Sequence, residues 1–503
     1  MVFERKGWSV GLGVAAAAAT AVLVYFGNGL HPLWPLVWLA PLPVLLYALR
    51  SGPTSAWSAG VVAWAGWFAG SANFIGYFRV LGTPLVAWFT LFGLAALVFA
   101  AGVLLCRALV RRGAVWTAVV ALPAVWVTYE YVRNLLWPHG SAGSLGYSQL
   151  NFLPFLQMAS LTGPWGMSFV LLLLPSGVAV AWAAGRADSR RALRVAGATA
   201  GVVAMALVFG AARLAMRQPG PMVRVGLVTS DAPGNVWAAK AGADTERLLR
   251  AYAGEARGLI AQGAQVVVMP ETVGRVVDPN TKAADAVLQA VADETQAMLV
   301  TGMIRIAGRL QYDEARVYTP GVPVRLYDKE HMLPPFEDIF TPGKALLMLH
   351  RPGALWGVAI CKDMDFMNPA RRNGRAGVGL MLVPGADFVV DGFWHGHIAV
   401  MRGVEDGFSV ARAAKQGFLT VSDGRGRVVA ERASDSAPFV TLLAEVPAGH
   451  EGTLYLLWGD WFAWFAMALC GWVLVQRRLG PASTRSTTES AECRERTAVK
   501  VLD

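Results

Sequence analysis

Three ionisable residues stand at or just past the ends of strand-like apolar runs. Val266-Val267-Val268-Met269-Pro270 leads to Glu271, Leu326-Tyr327-Asp328 leads to Lys329, and Gly357-Val358-Ala359-Ile360 delivers Cys361. A thiolate is the strongest nucleophile among protein side chains. A neighbouring carboxylate can take its proton, and an ammonium can hold the oxyanion formed when sulfur attacks a carbonyl. A carboxylate, an ammonium and a thiol together can therefore make an acyl-transfer site. Each has a structural alternative: an inert buried thiol, a glutamate opening a turn after proline, a surface lysine between Asp328 and Glu330. Their joint placement at successive strand ends favours the chemical reading, because ligands in α/β folds gather there.

The elements around these residues read as an alternating α/β block over about 222–448. Residues 223–228, 265–269, 298–304, 315–318, 322–327, 356–360, 378–383 and 417–422 have strand character. Residues 244–261 place Leu248, Leu249, Tyr252, Ala256 and Leu259 on one helical face, and further helices are predicted over 283–295 and 397–414. No internal repeat, glycine-rich phosphate loop or zinc-spaced His/Cys cluster is present in the sequence. His395 and His397 lack a third ligand, so no metal or cofactor is expected.

The rest of the chain has a different texture. Of 503 residues, 55% are hydrophobic and only 16% charged, with 19 Trp, which argues for an integral membrane protein. A spanning helix needs roughly 20 apolar residues. Eight candidates read as about 8–27, 33–50, 56–76, 84–108, 114–134, 164–184, 194–216 and 454–476. The first is not expected to be a cleaved signal, since more spans follow. The expected organisation is a transmembrane region over 1–220, a soluble domain over 221–449, a last span within 450–478 and a polar, disordered tail over 479–503. Arg5, Lys6, Arg50, Arg107, Arg111, Arg112, Arg186, Arg190, Arg191, Arg194, Arg477 and Arg478 fall on one side if the spans alternate. Fewer basic residues, Arg79, Arg133, Arg213 and Arg217, break the pattern. Cationic loops stay cytoplasmic, so both termini are expected inside and the α/β block outside. The net charge of +10 thus reflects membrane orientation rather than nucleic-acid binding. Cys106, Cys361, Cys470 and Cys493 are widely scattered, and only Cys361 lies in the block, so no disulfide framework can form there.

The segments Pro270-Glu271, Tyr327-Asp328-Lys329 and Ile360-Cys361 resemble the three motifs of the nitrilase, or carbon–nitrogen hydrolase, superfamily. The resemblance implies an α-β-β-α sandwich over roughly 222–448 and a Glu271-Lys329-Cys361 triad. His397–Arg402 and Ala411-Arg412 resemble the family's helix after the nucleophile. The membrane part is similar to the apolipoprotein N-acyltransferase family, through Trp126–Arg133, Gly146–Gln149 and Pro164–Ser168. That likeness implies a bacterial cytoplasmic-membrane enzyme with an extracytoplasmic catalytic domain. Its expected partners are a phospholipid acyl donor and a diacylated lipoprotein acceptor. It also implies a positioning role for Glu337, eight residues past Lys329, and offers Glu130, Arg133 and Tyr147 as membrane-side candidates. The alternative for Glu130 and Arg133 is an ion pair within one helix. Oligomeric state is left open, a monomer being compatible with the sequence.

Three segments depart from the acyltransferase pattern. Cys361-Lys362-Asp363 stands for Cys-Tyr-Glu, Met269-Pro270-Glu271 for Trp-Pro-Glu, and Lys415-Gln416-Gly417 for Asn-Asn-Gly. Lys362, Asp363 and Met269 are therefore candidates for tuning the substrate, and a divergent paralogue with another amine acceptor is an alternative. So is a membrane-tethered amidase, in which the thioester ends in water. Beside Cys361, Lys362 is expected either to lower the thiol pKa or to meet an anionic head group, unless alternation turns it away.

Overall fold

The computed structural model describes residues 2–50 and 55–478; the expected polar tail lies outside them. Five helices are long and apolar enough to cross a membrane: Val10–Gly27, Leu85–Arg111, Val115–Leu136, Ala159–Ala184 and Ser189–Ala215. The other three expected spans are composite. Residues 33–50 form Trp34–Val37 and Leu42–Leu49, each with proline in its first turn, where the missing N–H costs nothing. Residues 56–76 form Ala56–Gly70, capped by the Ser55 hydroxyl, followed by a 3-10 turn and the short helix Ile75–Val80. The last segment is Leu454–Trp458, a break at Gly459 (φ +62°), and Trp461–Arg478. Among the described residues, length and composition therefore mark five crossings rather than eight. The helix Ala159–Ala184 is kinked at Gly163 (φ +61°), where a Cβ would lie 2.5 Å from the Tyr455 ring.

Beyond the helices, thirteen strands are described: β1 Met222–Thr229, β2 Val266–Val268, β3 Gly274–Val277, β4 Met298–Ala307, β5 Leu310–Thr319, β6 Val322–Asp328, β7 Met348–Arg351, β8 Ala354–Val358, β9 Leu380–Ala386, β10 Ser409–Lys415, β11 Phe418–Ser422, β12 Val428–Ala433 and β13 Val440–Pro447. They make two sheets, ordered β13-β1-β2-β4-β5-β6, with β3 also on β4, and β12-β11-β10-β9-β8-β7. The pairs β1–β2, β2–β4, β8–β9 and β9–β10 are parallel, so their carboxyl ends point together. Alternate residues build two cores. Val266 and Val268 join Val358, Leu380 and Leu382 between the sheets, whereas Val267 and Met269 face the helices Ala243–Ala261 and Lys282–Thr295. With Met367–Arg375 and Gly392–Asp406 over the second sheet, the layers are α-β-β-α.

The expected helix over 397–414 is corrected. The helix runs Gly392–Asp406, Gly407 (φ +77°) stops it, and Ala411-Arg412 lie on the inner strand β10. Ser409–Lys415 is buried throughout, and a strand buried on both faces does not reveal its period. The same helix joins the two parts of the molecule. Ala399 faces the sheet, while Trp394, Ile398, Met401 and Val404, spaced along one stripe, belong to the core of the helical bundle.

Candidate active site

Glu271 follows β2, Lys329 follows β6 and Cys361 lies three residues past β8, so the site straddles the carboxyl ends of both sheets. The main-chain N–H of Glu271 donates across the seam to the Gly385 carbonyl at 3.2 Å. Gly302 lets this turn come close, because a Cβ there would sit 2.4 Å from the Glu271 Cα. Thr272, Cys361, Val389 and Gln416 all have positive φ, and they lie in the four loops that surround the site. Such strain in non-glycine residues clusters where function requires it.

Lys329 is fully buried rather than a surface residue. Its ammonium lies 2.6 Å from Glu271 Oε1, 2.7 and 2.8 Å from the two Glu337 oxygens, and 3.3 Å from Asp313 Oδ2. Oxygens of these three carboxylates lie within 4.8 Å of one another, a spacing that a cation could use. The Lys329 ammonium occupies that place. Burial opposes ionisation of Glu271, but Lys329 outweighs it and holds the carboxyl below its usual range. Burial first, then the Glu271 charge, pushes Asp313 well above the usual carboxylate range. Burial likewise works against the Lys329 charge, yet Glu271 and then Glu337 keep it protonated.

Cys361 opens a 3-10 turn at φ +39°, and its Sγ donates to the Ala386 carbonyl at 3.2 Å. Glu271 is close enough for its charge to act on the thiol. Burial, then the Glu271 charge, holds the thiol well above its usual range, so it rests protonated. This corrects the expectation that Lys362 depresses it. Lys362 turns away from the sulfur, donating to His139 Nδ1 at 3.1 Å and lying 3.6 Å from Asp365 Oδ2. Burial and the Lys362 charge push His139 down to about 4, leaving its ring free to accept.

Asp363 is a clamp. Its oxygens accept from the Tyr327 hydroxyl (2.8 Å) and from the main-chain N–H groups of Glu330 (3.1 Å), His331 (2.9 Å) and Ile360 (3.1 Å), tying the Cys361 turn to the loop after Lys329. Glu337 also accepts from the Leu333 N–H at 2.7 Å, which fixes its own loop. Met269 is not brought to the site: strand alternation sends it into the sheet–helix core. His395 and His397 do not converge. His395 contacts Asp365 (3.0 Å) and Asp391 (3.2 Å), and His397 lies 3.8 Å from Glu431.

Two buried residues of the site have roles the sequence did not assign. Asp313 lies within β5, where two adjacent buried acids, Asp313 and Glu314, are an uncommon sight and the available signal. Lys415 ends β10 and donates to the carbonyls of Val236 (2.9 Å) and Thr272 (3.1 Å), the latter just past Glu271. Burial pushes it down to about 8. Its signal was its place in the Lys415-Gln416-Gly417 segment that departs from the acyltransferase pattern.

On the membrane side, Glu130 does not pair with Arg133. It accepts from Trp126 Nε1 (2.9 Å), Ser144 Oγ (3.1 Å) and the Leu145 N–H (2.6 Å), anchoring the loop after its helix. Tyr147, in that loop, accepts from Arg402 Nη2 at 2.6 Å, and Ser141 Oγ donates to the Asp365 carbonyl at 2.9 Å, so the loop docks on the α/β part. Arg133 lines a cleft of about 140 Å³ whose walls come from both parts of the molecule; Lys362, the residue after Cys361, also lines it.

Residues 20–177 match the family described as apolipoprotein N-acyltransferase N-terminal domain, and residues 213–456 match the carbon-nitrogen hydrolase family. The chain is 25% identical to an apolipoprotein N-acyltransferase of Geobacter metallireducens over 86% of this chain and 89% of the relative. It is 27% identical to one of Bradyrhizobium diazoefficiens over 94% and 96%. Among solved structures, a Nesterenkonia amidase of the nitrilase superfamily matches 46% of this chain and 92% of its own at 22% identity, with a TM-score of 0.38.

Proposed function

We infer that this protein, whose residues 20–177 match the apolipoprotein N-acyltransferase N-terminal domain and whose residues 213–456 match the carbon-nitrogen hydrolase family, moves an acyl chain from a phospholipid to the α-amine of a diacylglyceryl-cysteine at a lipoprotein N-terminus. In this reading residues 1–220 and 450–478 lie in a bacterial cytoplasmic membrane, the composite segments completing eight crossings, and residues 221–449 face outward. The observation that carries it is the seating of the Glu271-Lys329-Cys361 cluster, on strand ends, directly over an apolar helical bundle through the helix Gly392–Asp406.

The roles follow from the charges. Glu271 is ionised and takes the Cys361 proton as sulfur attacks the ester carbonyl, so no free thiolate has to wait in a buried site. The C–S bond forms, and Lys329 balances the oxyanion. The ester C–O bond then breaks, and the proton on Glu271 leaves with the lysophospholipid hydroxyl. In the second half the neutral amine attacks the thioester. The C–N bond forms, the C–S bond breaks, and the amine proton returns through Glu271 to sulfur. Asp313 and Glu337 hold Lys329 in place, while Asp363 holds the nucleophile turn. The exposed apolar side chains Trp237, Phe336, Ile339 and Val389, on loops beside the site, fit a mouth that opens at a lipid surface.

The test is transfer from a radiolabelled phospholipid to a synthetic diacylated lipopeptide by the purified protein in vesicles. Label in the lipopeptide supports the reading. Label released only as free fatty acid would make the protein a hydrolase, and no turnover would reject both.

A further inference from the structure

The turn that carries Glu271 is held from three sides. The Glu271 N–H donates to Gly385, and Gly302 packs against the Glu271 Cα. The third hold is on Thr272, whose φ of +48° is an unfavourable conformation for a β-branched residue and persists only where its surroundings enforce it. Here the ammonium of Lys415, buried at the end of β10, reaches from the second sheet to the first. It donates to the Thr272 carbonyl at 3.1 Å, to the Thr272 hydroxyl at 3.3 Å and to the Val236 carbonyl at 2.9 Å. Three uncharged oxygens thus converge on one Nζ. An ammonium has three N–H donors to meet them, whereas a neutral amine has two and would turn its lone pair toward one of the oxygens. The main chain behind Lys415 is itself anchored. The Gln416 N–H donates to both Asp231 oxygens (2.9 and 3.0 Å), and the Gly417 N–H donates to Ser434 Oγ at 2.8 Å.

Resting on the acyl-transfer reading, we propose that protonated Lys415 is a positioning residue for the base: by pinning the Thr272 carbonyl and hydroxyl it keeps the Glu271 turn aimed at Cys361, and loss of its proton slows attack by the thiol. Burial pushes Lys415 down to about 8, so that proton goes to water as the solution turns mildly alkaline. Around the ammonium, Glu271 after β2, Asp313 on β5 and Asp231 after β1 favour its charge, and Arg275 on β3 opposes it. On its own strand, Arg412 is paired with Asp387. Deprotonation removes one of the three donors and loosens the hold on Thr272, with no covalent bond changed.

The experiment measures single-turnover formation of the Cys361 acyl-enzyme by the full-length protein from an alkyne-tagged phospholipid, over a pH series from about 6.5 to about 9.5. Leaving out the acceptor keeps the titration of its amine out of the profile. The wild-type rate is expected to fall by about fivefold or more through a midpoint near 8. Lys415→Met, which fills similar space without donors, should be slower by about tenfold at neutral pH, with the half-saturating donor concentration within about twofold and no alkaline fall. Lys415→Asn, the residue of the acyltransferase pattern, should give the same level profile. Lys415→Arg, charged across the whole range, should recover part of the rate and also abolish the fall. A wild-type rate that stays level through pH about 8 would overturn the assignment. So would a methionine variant as fast as wild type, or an alkaline fall that persists in the methionine and asparagine variants, because a merely structural lysine would lower the rate without removing the titration. A wild type that forms no acyl-enzyme at any pH would overturn the acyl-transfer reading itself, so the two failures are distinguishable.

Discussion

Lys329 is tied to Asp313 twice: its main-chain N–H donates to the Asp313 carbonyl at 2.8 Å, and its ammonium lies 3.3 Å from Asp313 Oδ2. Burial and the Glu271 charge push the Asp313 carboxyl toward its neutral form, so an amide of the same shape can replace it, donating toward Glu271 and accepting from Lys329. Asp313→Asn should keep kcat within about tenfold of wild type, while Asp313→Leu, which strips the ammonium of a partner, should cost about 3 kcal/mol or more in transition-state stabilisation. Acyl-transfer kinetics on folded protein checks this. Complete loss in the asparagine variant would mean that Asp313 works as an anion.

Gly302 governs the approach of the base. A Cβ there would lie 2.4 Å from Glu271 Cα and 2.8 Å from the Thr272 nitrogen, both main-chain atoms with little room to yield. Gly302→Ala should lower stability by about 1–3 kcal/mol and reduce kcat more than it raises KM, since Glu271 is displaced from sulfur. Thermal unfolding together with kinetics would detect both effects, and a variant unchanged in each would contradict the packing described.

The pH dependence of stability should carry a His395 signature. Burial opposes its charge, but Asp365 and Asp391 win and raise it to about 10. A folded-state pKa above the unfolded value of about 6.5 gives a contribution fully present below that value and lost as pH rises through about 10. His395→Gln should therefore be less stable than wild type at neutral pH, with the gap closing toward pH about 10. Melting temperatures over that range test it; a gap independent of pH would remove the charged histidine from the account.

Orientation can be read with an impermeant maleimide on intact spheroplasts. Ser436→Cys, exposed beyond β12, should label above the parent chain. Ser189→Cys, exposed in the first turn of the helix Ser189–Ala215 beside Arg186, Arg190 and Arg191, should label only after lysis. The reverse pattern would invert the topology.

The division into apolar helices and an α/β block was visible in composition and periodicity, and so were the strand ends that present Glu271, Lys329 and Cys361. What escaped has physical reasons. β10 is buried on both faces, so Ser409–Lys415 shows no strand period and was read as the continuation of a helix. Asp313 is invisible as a site residue because its role depends on β5 lying between β4 and β6. Lys362 sits next to the nucleophile in sequence, yet a 3-10 turn rotates successive side chains apart, sending its ammonium to His139, a contact across 223 positions of chain. Met269 was singled out by its place in a motif, but strand alternation alone would have sent it to the helix-facing side.

The central claim is a covalent acyl-enzyme on Cys361. Purified protein incubated with an alkyne-tagged phospholipid and no acceptor, then digested and analysed by mass spectrometry, should yield the Cys361 peptide carrying the tagged acyl chain. The adduct should be released by hydroxylamine and be absent in Cys361→Ala and Glu271→Gln. Acylation of the lipopeptide without any such adduct, or by Cys361→Ala, would contradict the account.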